Sequence, residues 1–162
     1  MIDTTMYTVS QLFLTPTLVL ILLMFVYSFI ALGSFIYEGI SRRKNIMQLN
    51  TNGAYPILRH YNADKQISME KLELFAFKKL ENVRNVSRIA PMMGLIATLI
   101  PLGPALKALT DGNIQGMSDG LILAFSGVTL GLIAASLTYW IGNIKKRWYA
   151  DELHIIEVAK AT

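Results

Sequence analysis

A chain of 162 residues that is 53% hydrophobic, only 16% charged and free of cysteine is neither an ordinary soluble domain, nor a disordered tail, nor a disulfide framework. Its 15 Lys and Arg against 11 Asp and Glu would suggest nucleic acid if they shared one surface, but they are segregated along the chain. No Asp, Glu, Lys or Arg stands between Asp3 and Glu38, between Arg88 and Lys107, or between Asp119 and Lys145.

Taken in chain order, residues 1–17 are expected as an outer N-terminal segment. They carry no Lys or Arg, and the apolar run that follows is too long for the core of a cleaved signal peptide. A hydrocarbon core about 30 Å thick needs roughly 20 helical residues, and Leu18 to Tyr37 supplies them as transmembrane helix 1. Residues 38–88 hold ten of the 15 cations and form a loop followed by an amphipathic helix. Turn signals fall at Asn50 to Pro56 and at Tyr61 to Asp64. From Ser68, a plausible N-cap, Met69, Leu72, Ala76, Leu80, Val83 and Val86 recur at spacings of three and four. This helix is expected to run without a break into transmembrane helix 2 at 89–106. Its rival readings are a membrane-surface or calmodulin-binding helix, and for 89–106 itself a buried helix of a soluble core. Residues 107–119 are a short outer hairpin, 120–144 transmembrane helix 3, and 145–162 a continuing C-terminal helix. Because basic loops resist translocation, the N-terminus is expected outside and the loop and C-terminus in the cytoplasm. Trp140, Trp148, Tyr139 and Tyr149 suit either an interfacial belt or helix packing.

Catalysis has little to work with. His60 and His154 each lack a second ligand at metal spacing, and neither a phosphate loop nor a nucleophile elbow is present. No enzymatic activity, metal or cofactor is expected.

The spans are informative through their small and hydroxyl-bearing residues. Helix 2 places Pro91, Gly94, Thr98, Pro101 and Ala105 at spacings of three and four. Pro101 and Pro104 have no N–H, so the carbonyls of Ala97 and Ile100 lose their helical donors beside the Thr98 hydroxyl. In helix 3, Gly127 and Gly131, with Ala135 and Thr138, read with Gly94 as a packing surface. At about 100° per residue Ser126, Thr129 and Ser136 fall elsewhere on the wheel. Such residues can simply promote helix association, or they can line a polar path.

The stretch Arg88 to Thr98, RIAPMMGLIAT, resembles the start of the second pore helix in the MotA/TolQ/ExbB proton channel family, whose pattern is Ala-Pro, Gly-Leu, Gly-Thr. Ala90, Pro91, Gly94, Leu95 and Thr98 match, while Ala97 replaces the glycine. Ala124, Phe125, Gly131 and Leu132 resemble landmarks of the third helix, and the likeness covers about residues 70–150. It implies an all-α membrane protein, with helices 2 and 3 extended into the cytoplasm. The family assembles as a ring, typically a pentamer, around a dimer of a single-span partner similar to ExbD, TolR or MotB. That partner's aspartate handles the ion, and Thr98, Ser126 and Thr129 become candidates for the ion path. One departure stands out. Counting three residues back from Gly131, where the family usually has threonine, gives Val128. The alternative from another class is a non-conducting oligomeric scaffold or regulatory subunit, held together through Gly127 and Gly131.

Overall fold

The computed structural model describes residues 2–44 and 55–161, and all the regular structure in them is helical: α1 (Ile2–Lys44), α2 (Pro56–Ala63), α3 (Met69–Thr110) and α4 (Ile114–Ala161). Three of these, over Gln11–Arg43, Met69–Thr110 and Ile114–Lys160, are long and apolar enough to cross a membrane. α1 already begins at Ile2, so the segment ahead of Leu18 is helical too. α3 starts at Met69 directly after Ser68, whose carbonyl accepts the N–H of Lys71 at 3.2 Å and of Leu72 at 3.3 Å. It continues through Pro91, Pro101 and Pro104, and α4 runs unbroken for 48 residues.

The turn read at Tyr61 to Asp64 is displaced. Tyr61, Asn62 and Ala63 close α2, and the turn follows at Lys65 and Gln66. The cause is local: Asp64 is the extended C-cap, and its Oδ1 accepts the Gln66 N–H at 3.1 Å, so the Asp side chain organises the residues after it. Of the other turn read, residues 50–54 lie outside the described residues, and Pro56 opens α2 at a position where a missing N–H costs the helix nothing.

The connection between α3 and α4 is three residues long and is closed from both sides. Gly112, at φ +72°, takes the left-handed conformation that favours glycine. The N–H of Asn113 reaches Ala108 O at 2.8 Å and that of Gly112 reaches Leu109 O at 3.1 Å, which is a Schellman ending. Asn113 then caps α4, with its Oδ1 accepting the Gly116 N–H at 2.9 Å.

The chain divides into two compact units. In the first, residues 1–29 and 86–137, the antiparallel α3 and α4 approach closely along small residues. A Cβ on Gly131 would stand 2.7 Å from the Ala90 carbonyl oxygen, one on Gly127 2.7 Å from Ala97 Cβ, and one on Gly94 3.2 Å from Val128 Cα. Ala90, Ala97, Ala105, Ala124, Ala134 and Ala135 are buried there. α1 lies against this pair: Leu18 Cδ2 is 3.6 Å from the position of a Gly127 Cβ, and Met24 and Phe25 pack on Ala90, Ala134 and Ala135. Its buried Thr17 and Ser28 satisfy their hydroxyls on their own helix, at Phe13 O and Phe25 O, each at 2.7 Å.

The second unit, residues 30–85 and 138–162, has a core of Ile57, Leu72, Ala76, Tyr149 and Ile156, with Leu58, Tyr61, Phe75, Leu80 and Trp148 around it. Leu72, Ala76 and Val83 of the amphipathic stripe are buried, whereas Met69, Leu80 and Val86 are half-buried.

The close approach at Gly131 yields a direct test. Gly131→Ala puts a methyl group against backbone, which cannot rotate away, and should cost about 1–3 kcal/mol in unfolding measured in detergent. Gly33→Ala, on α1 with nothing within 4 Å of the new Cβ, should be neutral or stabilising by up to about 1 kcal/mol.

Candidate functional site

The residues with chemistry in the first unit are hydroxyls. Thr98 is half-buried on α3, and Ser126 and Thr129 are exposed on α4. None of the three lies in the glycine and alanine contact between these helices. That contact runs through Ala90, Gly94 and Ala97 on α3 and through Gly127, Val128 and Gly131 on α4. In the same antiparallel register Thr98 is level with Ser126, and Thr129 sits about one helical turn away along the pair. Each hydroxyl donates to its own helix: Thr98 Oγ1 to Leu95 O at 2.6 Å, Ser126 Oγ to Ile122 O at 2.7 Å, and Thr129 Oγ1 to Phe125 O at 2.7 Å. Ser136 does the same towards Leu132 O at 2.8 Å. A hydroxyl held in this way keeps its oxygen lone pairs outward. It can accept a hydrogen bond from water or from a protonated carboxylic acid, and it turns into a donor to a carboxylate by giving up its helical bond.

Around these hydroxyls the outer surface is apolar. Leu95, Leu99, Leu102, Ile122, Phe125 and Leu132 are all exposed. Between 22% and 28% of the most apolar window of each long helix is buried within the chain, so most of that surface needs lipid or another chain to cover it. Pro101 is buried and Pro104 and Ile100 half-buried, while Ala97 is fully buried against Gly127. Gly94, Gly127, Gly131 and Ala135 all face into the unit. Val128 packs by its backbone and Cγ2 against Gly94.

The second unit contains a polar cluster that the sequence reading passed over. Glu152 is buried to 1% exposure on α4. Its Oε2 accepts the N–H groups of Ile57 at 2.8 Å and Leu58 at 3.1 Å, so a carboxylate about 95 residues away along the chain caps α2, which has no side-chain cap of its own. Its Oε1 is bonded to the Arg42 guanidinium. Arg42 also reaches Glu38 Oε1 at 3.3 Å, and Lys145 Nζ closes the cluster on Glu38 Oε2 at 2.8 Å. The guanidinium lies 4.7 Å from the ring centroids of both Tyr55 and Trp148, and Trp148 stacks on Phe35 at 5.2 Å.

Burial pushes the Glu152 carboxyl above the usual carboxylate range, against the opposing pull of Arg42 and of the Leu58 and Ile57 amides. Burial, followed by the nearby charges of Glu38 and Glu152, raises the Tyr149 phenol, which stays protonated. The aromatic residues read as belt or packing divide: Trp148 and Tyr149 pack inside this unit, and Tyr139 and Trp140 are exposed. His60 stacks on Phe75 at 4.4 Å, and His154 is exposed, 4.0 Å from Glu157.

A signal for the cluster exists in the sequence. Ala31, Phe35, Glu38 and Arg42 fall at spacings of four, three and four, as do Lys145, Tyr149, Glu152 and Ile156. Charged residues on an inward stripe demand buried partners. Glu152→Ala would leave Arg42 undercompensated and strip α2 of its cap, so it should lower the unfolding free energy by about 3–5 kcal/mol. Faster hydrogen exchange at the Ile57 and Leu58 amides would locate the loss. Glu152→Gln, which retains one carbonyl acceptor, should cost less in both measurements.

Comparison with known proteins adds one finding. No curated protein and no solved structure matches the chain. The sequence profile described as the MotA/TolQ/ExbB proton channel family matches residues 32–158, from the second half of α1 to near the end of α4. That span is most of the chain and takes in both the glycine-matched helix pair and the polar cluster. With its three apolar helices, the chain is a membrane-embedded member of the MotA/TolQ/ExbB proton channel family.

Proposed function

We propose that the chain is the ring-forming subunit of a proton-driven channel and motor complex, without enzymatic activity or cofactor. Several copies, five in this reading, surround a dimer of a single-span membrane protein resembling ExbD, TolR or MotB. The complex lies in the cytoplasmic membrane, with the N-terminus outside and with the charged ends of α3 and α4 projecting together into the cytoplasm. No nucleic acid is involved.

One observation carries this reading. The charge-free stretches contain no Asp, Glu, Lys, Arg or His, yet the α3 and α4 pair presents the Thr98, Ser126 and Thr129 hydroxyls away from its own contact surface. A proton relay needs a group that titrates near neutrality, and such a group comes from another chain. An aspartate on a central partner helix would take up a proton, pass the hydroxyls while neutral, and release the proton on the other side. The hydroxyls accept from the protonated acid and donate to the carboxylate without ionising themselves. Passage of one charge down a potential of 100 mV releases about 2.3 kcal/mol, enough to bias the rotation or tilt of packed helices against one another. The family membership and the large uncovered apolar surface support the ring.

The alternative, a non-conducting membrane scaffold, is favoured by Val128, which puts a methyl group where the family usually has a hydroxyl. Flux separates the two. In proteoliposomes containing the chain and its partner, Thr98→Val should reduce proton flux at least about tenfold with the assembly intact. A wild-type complex that forms but passes no protons would instead support the scaffold. Mass measurement of the intact complex should give five copies around two, and a closed dimer that excludes the partner would remove the ring.

A further inference from the structure

The second unit holds a cavity of about 360 Å³ lined by Pro56, Arg59, His60 and Ala63 of α2 and by Phe75 and Lys79 of α3. Three of its six lining side chains are basic nitrogen groups, and none is a carboxylate. We propose that this cavity binds a small, soluble, phosphate-bearing molecule. Its phosphate would lie between Arg59 and Lys79, and its organic part against Pro56, Ala63 and Phe75.

Four observations lead there. First, the two cations come from different helices and are exposed, and among the described residues neither forms an ion pair. Their helical neighbours explain this. The residues three and four away from Lys79 are Ala76, Asn82, Phe75 and Val83, and those from Arg59 within α2 are Pro56, Asn62 and Ala63, so no acid stands at pairing distance on either helix. Second, Asp64, the acid nearest to α2 in sequence, has one oxygen engaged by the Gln66 N–H. Third, the side chains of the wall pack on one another. The His60 ring lies 4.4 Å from Phe75 and only 13° from parallel, and Lys79 Nζ is 5.7 Å from the same ring, which ties the lysine to the cavity edge. Fourth, α2 is anchored by the Glu152 cap on Ile57 and Leu58, so Arg59 and His60 are presented from a fixed helix rather than a free loop.

A guanidinium, an ammonium and an imidazole N–H around one hollow suit a phosphate, with its several acceptor oxygens, better than a monovalent halide. Pro56, Ala63 and Phe75 give an apolar lining that inorganic phosphate would leave unused. The same chemistry could come from a lipid headgroup. Distance along α3 argues against that source: Lys79 precedes Arg88, where the charge-free stretch begins, by nine residues, or roughly 14 Å of helix. This preference for a soluble molecule rests on reading that stretch as membrane-embedded. The cavity itself does not.

The test uses the full chain purified in detergent, with adenosine monophosphate as the organic phosphate, inorganic phosphate as the minimal probe, and chloride at matched ionic strength as the control. Binding is read by calorimetry and by the shift in unfolding temperature. The expected result is that adenosine monophosphate binds more tightly than inorganic phosphate and chloride has no effect. Arg59→Gln and Lys79→Gln should each weaken binding about tenfold or more while the unliganded unfolding temperature is unchanged. The single variants keep α2 and its cap, so a folding defect would appear at once as a lowered unliganded transition. Phosphate binding that survives both substitutions, or no binding beyond the chloride control, would overturn the site. Binding seen only with phosphatidylglycerol vesicles, and lost in both variants, would overturn the soluble source. All these readouts are independent of proton flux, so their failure would leave the channel reading untouched.

Discussion

The approach of α4 to α3 at Gly131, where there is no room for a methyl group beside the Ala90 carbonyl, constrains everything else in the first unit. Helices in lipid gain nothing from hiding apolar surface from water, so they associate by close packing, and that requires small residues at the contact. Using Gly94, Ala97, Gly127, Gly131 and Ala134 inward turns the large side chains outward. It also leaves the hydroxyls on flanking positions of the wheel, free of the contact. A seam built from leucines would have held the helices farther apart.

Polar chemistry is divided accordingly. In the charge-free stretches the hydroxyls of Thr17, Ser28, Thr98, Ser126, Thr129 and Ser136 satisfy themselves on their own helix, as a medium without water requires. In the second unit the clustered charges are matched in number, with buried Glu38 and Glu152 against half-buried Arg42 and Lys145, and two amide N–H groups also bond the Glu152 carboxylate. Burial raises the Glu152 carboxyl, and Arg42 with the Leu58 and Ile57 amides pulls the other way, so desolvation opposes the arrangement that these partners favour. One carboxylate on α4 thereby joins two other elements, bonding Arg42 of α1 through Oε1 and the first amides of α2 through Oε2.

How far the sequence reached follows from the range of each signal. Charge-free runs and the three-four spacing from Met69 to Val86 are local, so the three long helices and the unbroken α3 were legible. The division of α4 into a glycine face and a hydroxyl face was legible too, because angles on a helical wheel depend only on spacing. α2 was not, because its eight residues lack an acidic first turn and a side-chain cap of their own, and its stabilising acceptor is Glu152, far along the chain. The ionic cluster escaped for a similar reason. Glu38 and Glu152 are unremarkable acids until the stripe positions of Phe35, Arg42, Tyr149 and Ile156 are seen to point inward together. Pairings between distant segments leave only that indirect trace.

Val128 illustrates how packing and polarity separate. Valine and threonine have nearly the same shape and the same branch at Cβ, so either fills the contact against Gly94. What differs is a hydroxyl that could reach past the contact towards a neighbouring path. Valine therefore keeps the helix pair that a ring requires and removes one polar atom beside it. In the proposed ring the burden of solvating a passing acid then falls on Thr98 at the level of Ser126, and on Thr129 one turn away. Those positions offer outward lone pairs at two heights of the helix pair, about 4.5 Å apart along the axis, a step that one bridging water can cover. In that reading Val128 removes one polar atom beside the path, and Thr98 on α3 with Ser126 and Thr129 on α4 are left to line it.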